Sequence, residues 1–135
     1  MPEGIGYTGS NVVAGTGLEL NYIGNHCYAY SGAVDTGAEN VKITALNFTS
    51  GNGYIMSSFQ FHNNQTTGDD IHFELTLNGV VVVGISMQYS GTDKLENPPT
   101  AILIPPYTNV QVTVANATQA AARETLTTMT GRVYK

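Results

Sequence analysis

The double proline at Pro105-Pro106 constrains the fold of this chain most. It separates the apolar run AILI, residues 101–104, from VQVTV, residues 110–114, in which valines alternate with polar residues. This alternation has the two-residue period of a β-strand that buries one face. Because proline has no N–H to contribute to a ladder, the pair must lie where one strand leaves its sheet before the next begins. We therefore expect a corner between two strands.

Strand-like runs of this kind recur along the whole chain. The clearest is IHFELTLN, residues 71–78, in which every second residue is large and apolar. About eight short runs between Gly- and Pro-rich turns, with almost no helical pattern, predict an all-β fold: a two-sheet antiparallel sandwich, with a jelly roll favoured over an immunoglobulin-like fold. Only residues 117–123 favour one helical turn. The other runs cover residues 19–23, 26–34, 41–49, 54–62, 80–88 and 124–134.

The pair Asn78-Gly79 predicts a tight hairpin. It lies between two strand runs, and both central residues of a type I′ turn need positive φ, which Asn and Gly tolerate. The returning run, residues 80–88, begins with four valines. Their lack of alternation predicts either a strand covered on both faces or a bulge marked by the neighbouring Gly84.

Charge and composition exclude several classes of function. Charged residues are 11% of the 135 residues, against about 25% in an average soluble protein. With five Lys and Arg and a net charge of −5, the chain has no basic patch for nucleic acid. No apolar run approaches the ~18 residues that span a bilayer, so we expect no membrane association. The lone Cys27 is expected to be a buried, small apolar residue.

Residues that could carry chemistry are few. If the runs on either side of residues 63–70 pair as a hairpin, His62 and His72 lie near each other, with Asp69 and Asp70 at the tip. The spacing of a cupin-type metal site is absent, however, and these residues are better explained as an exposed polar face. The acidic residues Glu74 and Glu96 have no identifiable acid/base partner. We expect no catalytic residue, no cofactor and no metal, and hence no enzyme.

The C-terminal part of the chain resembles a known class of proteins. NNQTTGDDIHFELTLNGVVVV, then ILIPPYTNVQVTVAN, and LTTMTGRVY close to the end resemble small virion proteins of tailed bacteriophages, particularly jelly-roll decoration (cement) proteins on the outside of the capsid. The resemblance covers about residues 40–135. It implies a non-enzymatic protein that binds the major capsid protein and stabilises or decorates the capsid surface, after synthesis in the host cytoplasm. It also implies a homo-oligomer, most simply a trimer, with a dimer as the alternative.

Two other classes of function remain open. A carbohydrate- or receptor-binding module of a phage tail or fibre would use the same sandwich with exposed aromatic side chains, although tryptophan is absent. A glycosidase or cupin is the third class, because sandwich glycosidases can place a carboxylate pair at any sequence separation. The aromatic candidates are Tyr22, Tyr28, Tyr30, Tyr54, Tyr89 and Tyr107.

The N-terminal segment, residues 1–18, differs from the sandwich predicted for residues 19–135. It is rich in Gly, Ser and Thr and has no sustained period, which predicts an extended arm. An arm of this length can reach up to ~60 Å and add main-chain hydrogen bonds on a neighbouring subunit or a capsid. The possible assembly contacts of this arm are Ile5, Tyr7, Val12 and Val13.

Overall fold

The computed structural model describes residues 20–63, 67–88, 95–96 and 99–135, which form eleven β-strands. Eight of them have five residues or more, in agreement with the predicted number. No described residue is helical, so residues 117–123 do not form the favoured turn of helix and no described helix could cross a membrane. The strands are Asn21–Ile23 (β1), His26–Tyr30 (β2), Val34–Asp35 (β3), Ile43–Thr49 (β4), Tyr54–Asn63 (β5), Asp70–Leu77 (β6), Val80–Gln88 (β7), Leu95–Glu96 (β8), Thr100–Ile104 (β9), Asn109–Asn116 (β10) and Glu124–Tyr134 (β11).

The strands pair in two antiparallel sheets. A seven-stranded sheet has the order β1-β2-β11-β5-β8, with β3 also beside β11 and β9 beside β5, and a four-stranded sheet has the order β4-β10-β6-β7. Along the chain, successive long strands alternate between the sheets, except that β6 and β7 form a hairpin. This connectivity, with β2-β11-β5-β9 packed on β4-β10-β6-β7, is that of a jelly roll. The predicted fold class is confirmed.

The core lies between the two sheets and follows the alternation of the strands. In β5 the odd-numbered residues are buried and the even-numbered ones face outward, and β6 shows the same order. Phe61 of β5 contacts Phe73 of β6 across the sandwich, with ring centroids 5.2 Å apart. Cys27 is also buried, as predicted, and burial raises the pKa of its thiol to about 12, so it is inert at neutral pH.

The double proline forms the predicted corner. It lies between β9 in the seven-stranded sheet and β10 in the four-stranded sheet. Ser50, buried at the end of β4, holds it in place. The Ser50 hydroxyl donates to the carbonyl of Pro105 (2.7 Å) and accepts from the N–H of Thr108 (2.8 Å), while the Ser50 N–H donates to the Thr108 carbonyl (2.9 Å). The turn is completed by Tyr107 at φ 54°.

Two strand boundaries differ from the sequence prediction. The run predicted over residues 26–34 divides into β2 and the two-residue β3, because the chain turns at Gly32 with φ 67°. Residues 95–96, which belong to none of the predicted strand runs, pair with β5 as β8. Both short strands pair with a neighbour far away in sequence, a contact that local periodicity does not encode.

The hairpin at Asn78-Gly79 has the predicted geometry. Both residues have positive φ, 52° and 84°, as a type I′ turn requires. The Asn78 side chain anchors the turn to the neighbouring β10, because its Oδ1 accepts from the N–H of Asn109 at 2.8 Å.

Replacing Gly79 by valine should destabilise the protein by about 1 kcal/mol or more, since a β-branched residue resists positive φ. No atom lies within 4 Å of a Cβ added there, so the cost isolates backbone strain from crowding. Thermal unfolding followed by circular dichroism measures it. Gly84→Val is the control, because Gly84 also has open space but lacks a positive φ. An unchanged melting temperature for Gly79→Val would contradict the assignment of a type I′ turn at Asn78-Gly79.

Candidate assembly surfaces

The four arm residues proposed from the sequence lie outside the described residues. Ile5, Tyr7, Val12 and Val13 precede Leu20, where the described chain begins. Their role as assembly contacts therefore stays a prediction, and the described surface supplies two further candidates.

The first candidate is the outer face of the seven-stranded sheet. The strand registers place one residue from each of five adjacent strands in a row across this face, in the order Ile23, His26, Arg132, Met56, Leu103. Ile23, Met56 and Leu103 are 66%, 50% and 53% exposed. Outward positions of a solvated sheet are usually polar. This row is instead apolar at both ends, with Met56 next to Leu103 at one end and Ile23 at the other.

Two tyrosines extend the row toward the proline corner. Tyr54 and Tyr134 are directly opposite each other on β5 and β11, and their rings stack with centroids 5.2 Å apart. The guanidinium of Arg132 lies 5.6 Å from the centre of the Tyr134 ring, a cation–π contact that leaves its stem over apolar surface. We call this surface the outer-face patch: Ile23, Tyr54, Met56, Leu103 and Tyr134.

The second candidate is strand β7, at one edge of the four-stranded sheet. Val80, Val81 and Val82 are 63%, 52% and 44% exposed, so the prediction that the strand is covered on both faces is wrong. The strand does have a bulge, opposite Leu75 and Thr76 of β6, where Val82 is left without a register partner two residues before Gly84. The run of valines breaks the alternation because the bulge turns this end of the strand away from the core.

The tyrosines considered for carbohydrate binding are divided between several surfaces. Tyr28 and Tyr30 neighbour each other on β2, with ring centroids 5.0 Å apart. Tyr54 belongs to the outer-face patch, Tyr107 is exposed at the corner, and Tyr22 is partly buried against the core. Tyr89 lies outside the described residues.

The histidines and carboxylates do not form the site that a hairpin at residues 63–70 would have created. Strands β5 and β6 lie in different sheets, so His62 and His72 face outward on opposite sides of the sandwich. Within the described residues, no three His, Cys, Asp or Glu side chains are grouped so that they could hold a metal ion. Glu74 accepts a hydrogen bond from Lys42 at 2.8 Å, a surface ion pair.

Asp69 is the main polar residue that sequence reasoning misplaced. It was expected on an exposed face, yet it is only 4% exposed. Its carboxylate accepts from Arg123 Nε (2.7 Å), Asn116 Nδ2 (2.9 Å) and Gln119 Nε2 (2.9 Å). The hydrogen bond from Arg123, supported by those from the two amides and by the charge of Arg123, holds the pKa of Asp69 below its ordinary value despite burial.

This Asp69 cluster is structural in character. It joins the connection between β5 and β6 to the connection between β10 and β11. Thr36 reinforces it, since its hydroxyl donates to the carbonyl of Ala121 (2.7 Å) and accepts from the N–H of Arg123 (2.9 Å). The arrangement closes the end of the sandwich opposite the proline corner.

Comparison with known proteins identifies no family for this chain. No protein-family model matches it, and no curated protein matches it in sequence. The solved structures that resemble this chain include the following three. A chain of the T13 infectious bursal disease virus particle has a TM-score of 0.48 at 11% identity over 81% of this chain. A chain from the Gx strain of that virus has a TM-score of 0.46 at 15% identity over 73% of this chain. A chain of a disulfide-linked pilus of Bacillus endospore appendages has a TM-score of 0.45 at 12% identity over 82% of this chain.

The three structures differ in how much of their own length is matched. This chain spans 31% and 29% of the two viral chains, and 90% of the Bacillus chain. At these identities and TM-scores the similarities establish no shared function, because one β-sandwich architecture serves many functions.

Proposed function

We propose that this chain is a non-enzymatic structural protein of a virion that binds the outside of a tailed-phage capsid and decorates or stabilises it. The outer-face patch carries the proposal. It places five large apolar or aromatic side chains on the outer face of the seven-stranded sheet, and exposed apolar patches on a soluble domain mark sites of association. The partner is the major capsid protein, and the location is the surface of the particle.

The chemistry of the patch suits binding to a protein shell. Its apolar side chains are flanked by one cation, Arg132, and by neutral polar residues such as Thr130 and Ser58. Contacts of this kind depend little on ionic strength, because few of them are Coulombic. The resemblance of residues 40–135 to decoration proteins supports the same function.

The test requires particles from the source that encodes the chain. The purified protein should bind particles stripped of it at a fixed number of copies per capsid subunit. The variant Met56→Asp/Leu103→Asp should bind about 100-fold more weakly or worse, because burying two unpaired carboxylates costs several kcal/mol. Sedimentation of particles with labelled protein measures this affinity.

The control carries the same charge change elsewhere. Val41→Asp/Ala122→Asp alters two exposed residues at the far end of the sandwich from the corner, and it should bind like the original protein. Equal binding by all three proteins, or absence of the chain from the particles, would contradict the proposal.

We further propose that the protein is a homo-oligomer, with a trimer favoured over a dimer. Closed symmetry is the usual arrangement of soluble assemblies, and a multivalent protein gains avidity on a symmetric shell. Multi-angle light scattering of the isolated protein should give three, or else two, chain masses. A strict monomer at high concentration, with single copies on the particle, would contradict this expectation.

Glycan binding is the second candidate function, and the neighbouring rings of Tyr28 and Tyr30 favour it. Sugars stack on exposed aromatic faces, and this pair lies on the same outer face of the sheet as the patch. The isolated protein would then bind members of a glycan array, and Tyr30→Ala would abolish that binding. A blank array together with particle binding favours decoration.

A further inference from the structure

Strand β7 has the features of a sheet edge that accepts another strand. It is nine residues long, contains neither charge nor proline, and no other described strand pairs with its outer side. Natural edge strands are normally protected by charged side chains, proline or short length. Here three exposed valines follow one another, so both the main chain and the side chains favour pairing.

The other described edge strands, β1, β3, β4, β8 and β9, are all shorter than β7. Strand β4 is preceded by Lys42, which forms the ion pair with Glu74. Strand β9 lies between Pro99 and Pro105, and β1 has only three residues. Among the described strands, β7 is therefore the edge most open to an added strand.

The start of the described chain lies on the opposite side of the sandwich from β7. Leu20 immediately precedes β1, the strand at one edge of the seven-stranded sheet. Strand β7 instead contacts β8, which lies at the other edge of that sheet beyond β5. The preceding segment therefore joins the sandwich on one side, and the receptive edge lies on the other. This arrangement favours a head-to-tail contact between copies.

The length of the preceding chain fits this contact. Nineteen residues precede Leu20, and fully extended they reach up to ~60 Å. Pairing of residues 5–13 along β7 uses nine residues and leaves the six residues 14–19, or ~20 Å, to cross between subunits. The segment also contains apolar residues that can pack against the valines. Ile5 and Tyr7 are two positions apart, so in a strand they would lie on one face.

We propose that β7 of one copy binds residues 5–13 of a neighbouring copy as an additional strand, and that this contact joins the copies head to tail into a closed ring. Main-chain hydrogen bonds supply the affinity, and the exposed valines select the apolar anchors Ile5, Tyr7, Val12 and Val13. The contact needs no capsid, so it stands or fails independently of the decoration function.

A mixing experiment with two complementary variants tests the contact. In Val81→Lys/Val82→Lys the receptive edge is blocked, while in Ile5→Asp/Tyr7→Asp the donated segment is altered in a full-length chain. Each alone should be a monomer by light scattering. Mixed in equal amounts, they should form a complex of two chain masses, because the intact segment of the first binds the intact edge of the second.

Two further variants serve as controls, and two outcomes would overturn the proposal. Met56→Lys/Leu103→Lys carries the same charge change on the outer-face patch and should assemble like the original protein, which separates this contact from capsid binding. Deletion of residues 2–17 should reproduce the behaviour of the segment variant and accept an added peptide of residues 1–18. A segment variant that still assembles would overturn the proposal in favour of edge-to-edge pairing of β7. Monomers that do not combine on mixing would overturn it in favour of binding within one chain.

Discussion

Replacing Asp69 by alanine should destabilise the protein by about 3 kcal/mol. Removing one partner of a buried, hydrogen-bonded ion pair leaves the other partner uncompensated, at a cost of roughly 3–5 kcal/mol. The lower end applies because the Arg123 side chain is 24% exposed and water can partly solvate it. Urea denaturation measures the free energy of unfolding.

The double variant with Arg123→Met separates the ion pair from the rest of the cluster. Its destabilisation should be smaller than the sum of the two single variants, because the two residues contact each other. Additive effects would show that the amides of Asn116 and Gln119, and not Arg123, hold the carboxylate.

The same cluster predicts a pH dependence. The folded pKa of Asp69 lies below its unfolded value, so its contribution is fully present above about pH 5 and is lost as the pH falls below about 4 through the folded pKa. The difference in stability between the original protein and Asp69→Asn should therefore be constant near neutrality and narrow in acid. If the difference in stability between the two proteins stays constant down to pH 2, the ionised Asp69 carboxylate does not make this contribution.

Replacing Gly131 by alanine should destabilise the protein by about 2 kcal/mol, the second of the large effects. A Cβ at this position of β11 would lie 2.6 Å from Ile55 Cγ2 and 3.0 Å from the carbonyl oxygen of Met56. Neither atom is the free end of a flexible side chain, so the paired strands must move apart, and such overpacking costs about 1–3 kcal/mol. The melting temperature should fall by several degrees.

Gly84→Ala is the matched control for this substitution. It changes the same residue type within a strand, but no heavy atom lies within 4 Å of its added Cβ. It should be neutral or slightly stabilising, since alanine restricts the unfolded chain. Equal melting temperatures for Gly131→Ala and Gly84→Ala would show that β11 and β5 adapt to the methyl group.

Local patterns in the sequence were sufficient to predict the all-β class, the corner and the hairpin. Alternation with period two identifies which face of a run is buried, as in residues 71–77. Asn78-Gly79 and Pro105-Pro106 act through their own backbone preferences, positive φ in one case and a missing N–H in the other. Each of these signals is contained within a few neighbouring residues and can therefore be recognised without the tertiary structure.

The candidate surfaces depended on contacts between distant parts of the chain. Asp69 pairs with Arg123 across 54 residues, and nothing around either residue indicates the partner. The outer-face patch exists because pairing places side chains from four strands, β1, β5, β9 and β11, on one face of the sheet. Four valines in sequence suggested burial on both sides, yet β7 is an edge. Strand order is decided by which hydrophobic faces pack together in the whole sandwich, and a local period specifies a face without specifying its neighbour.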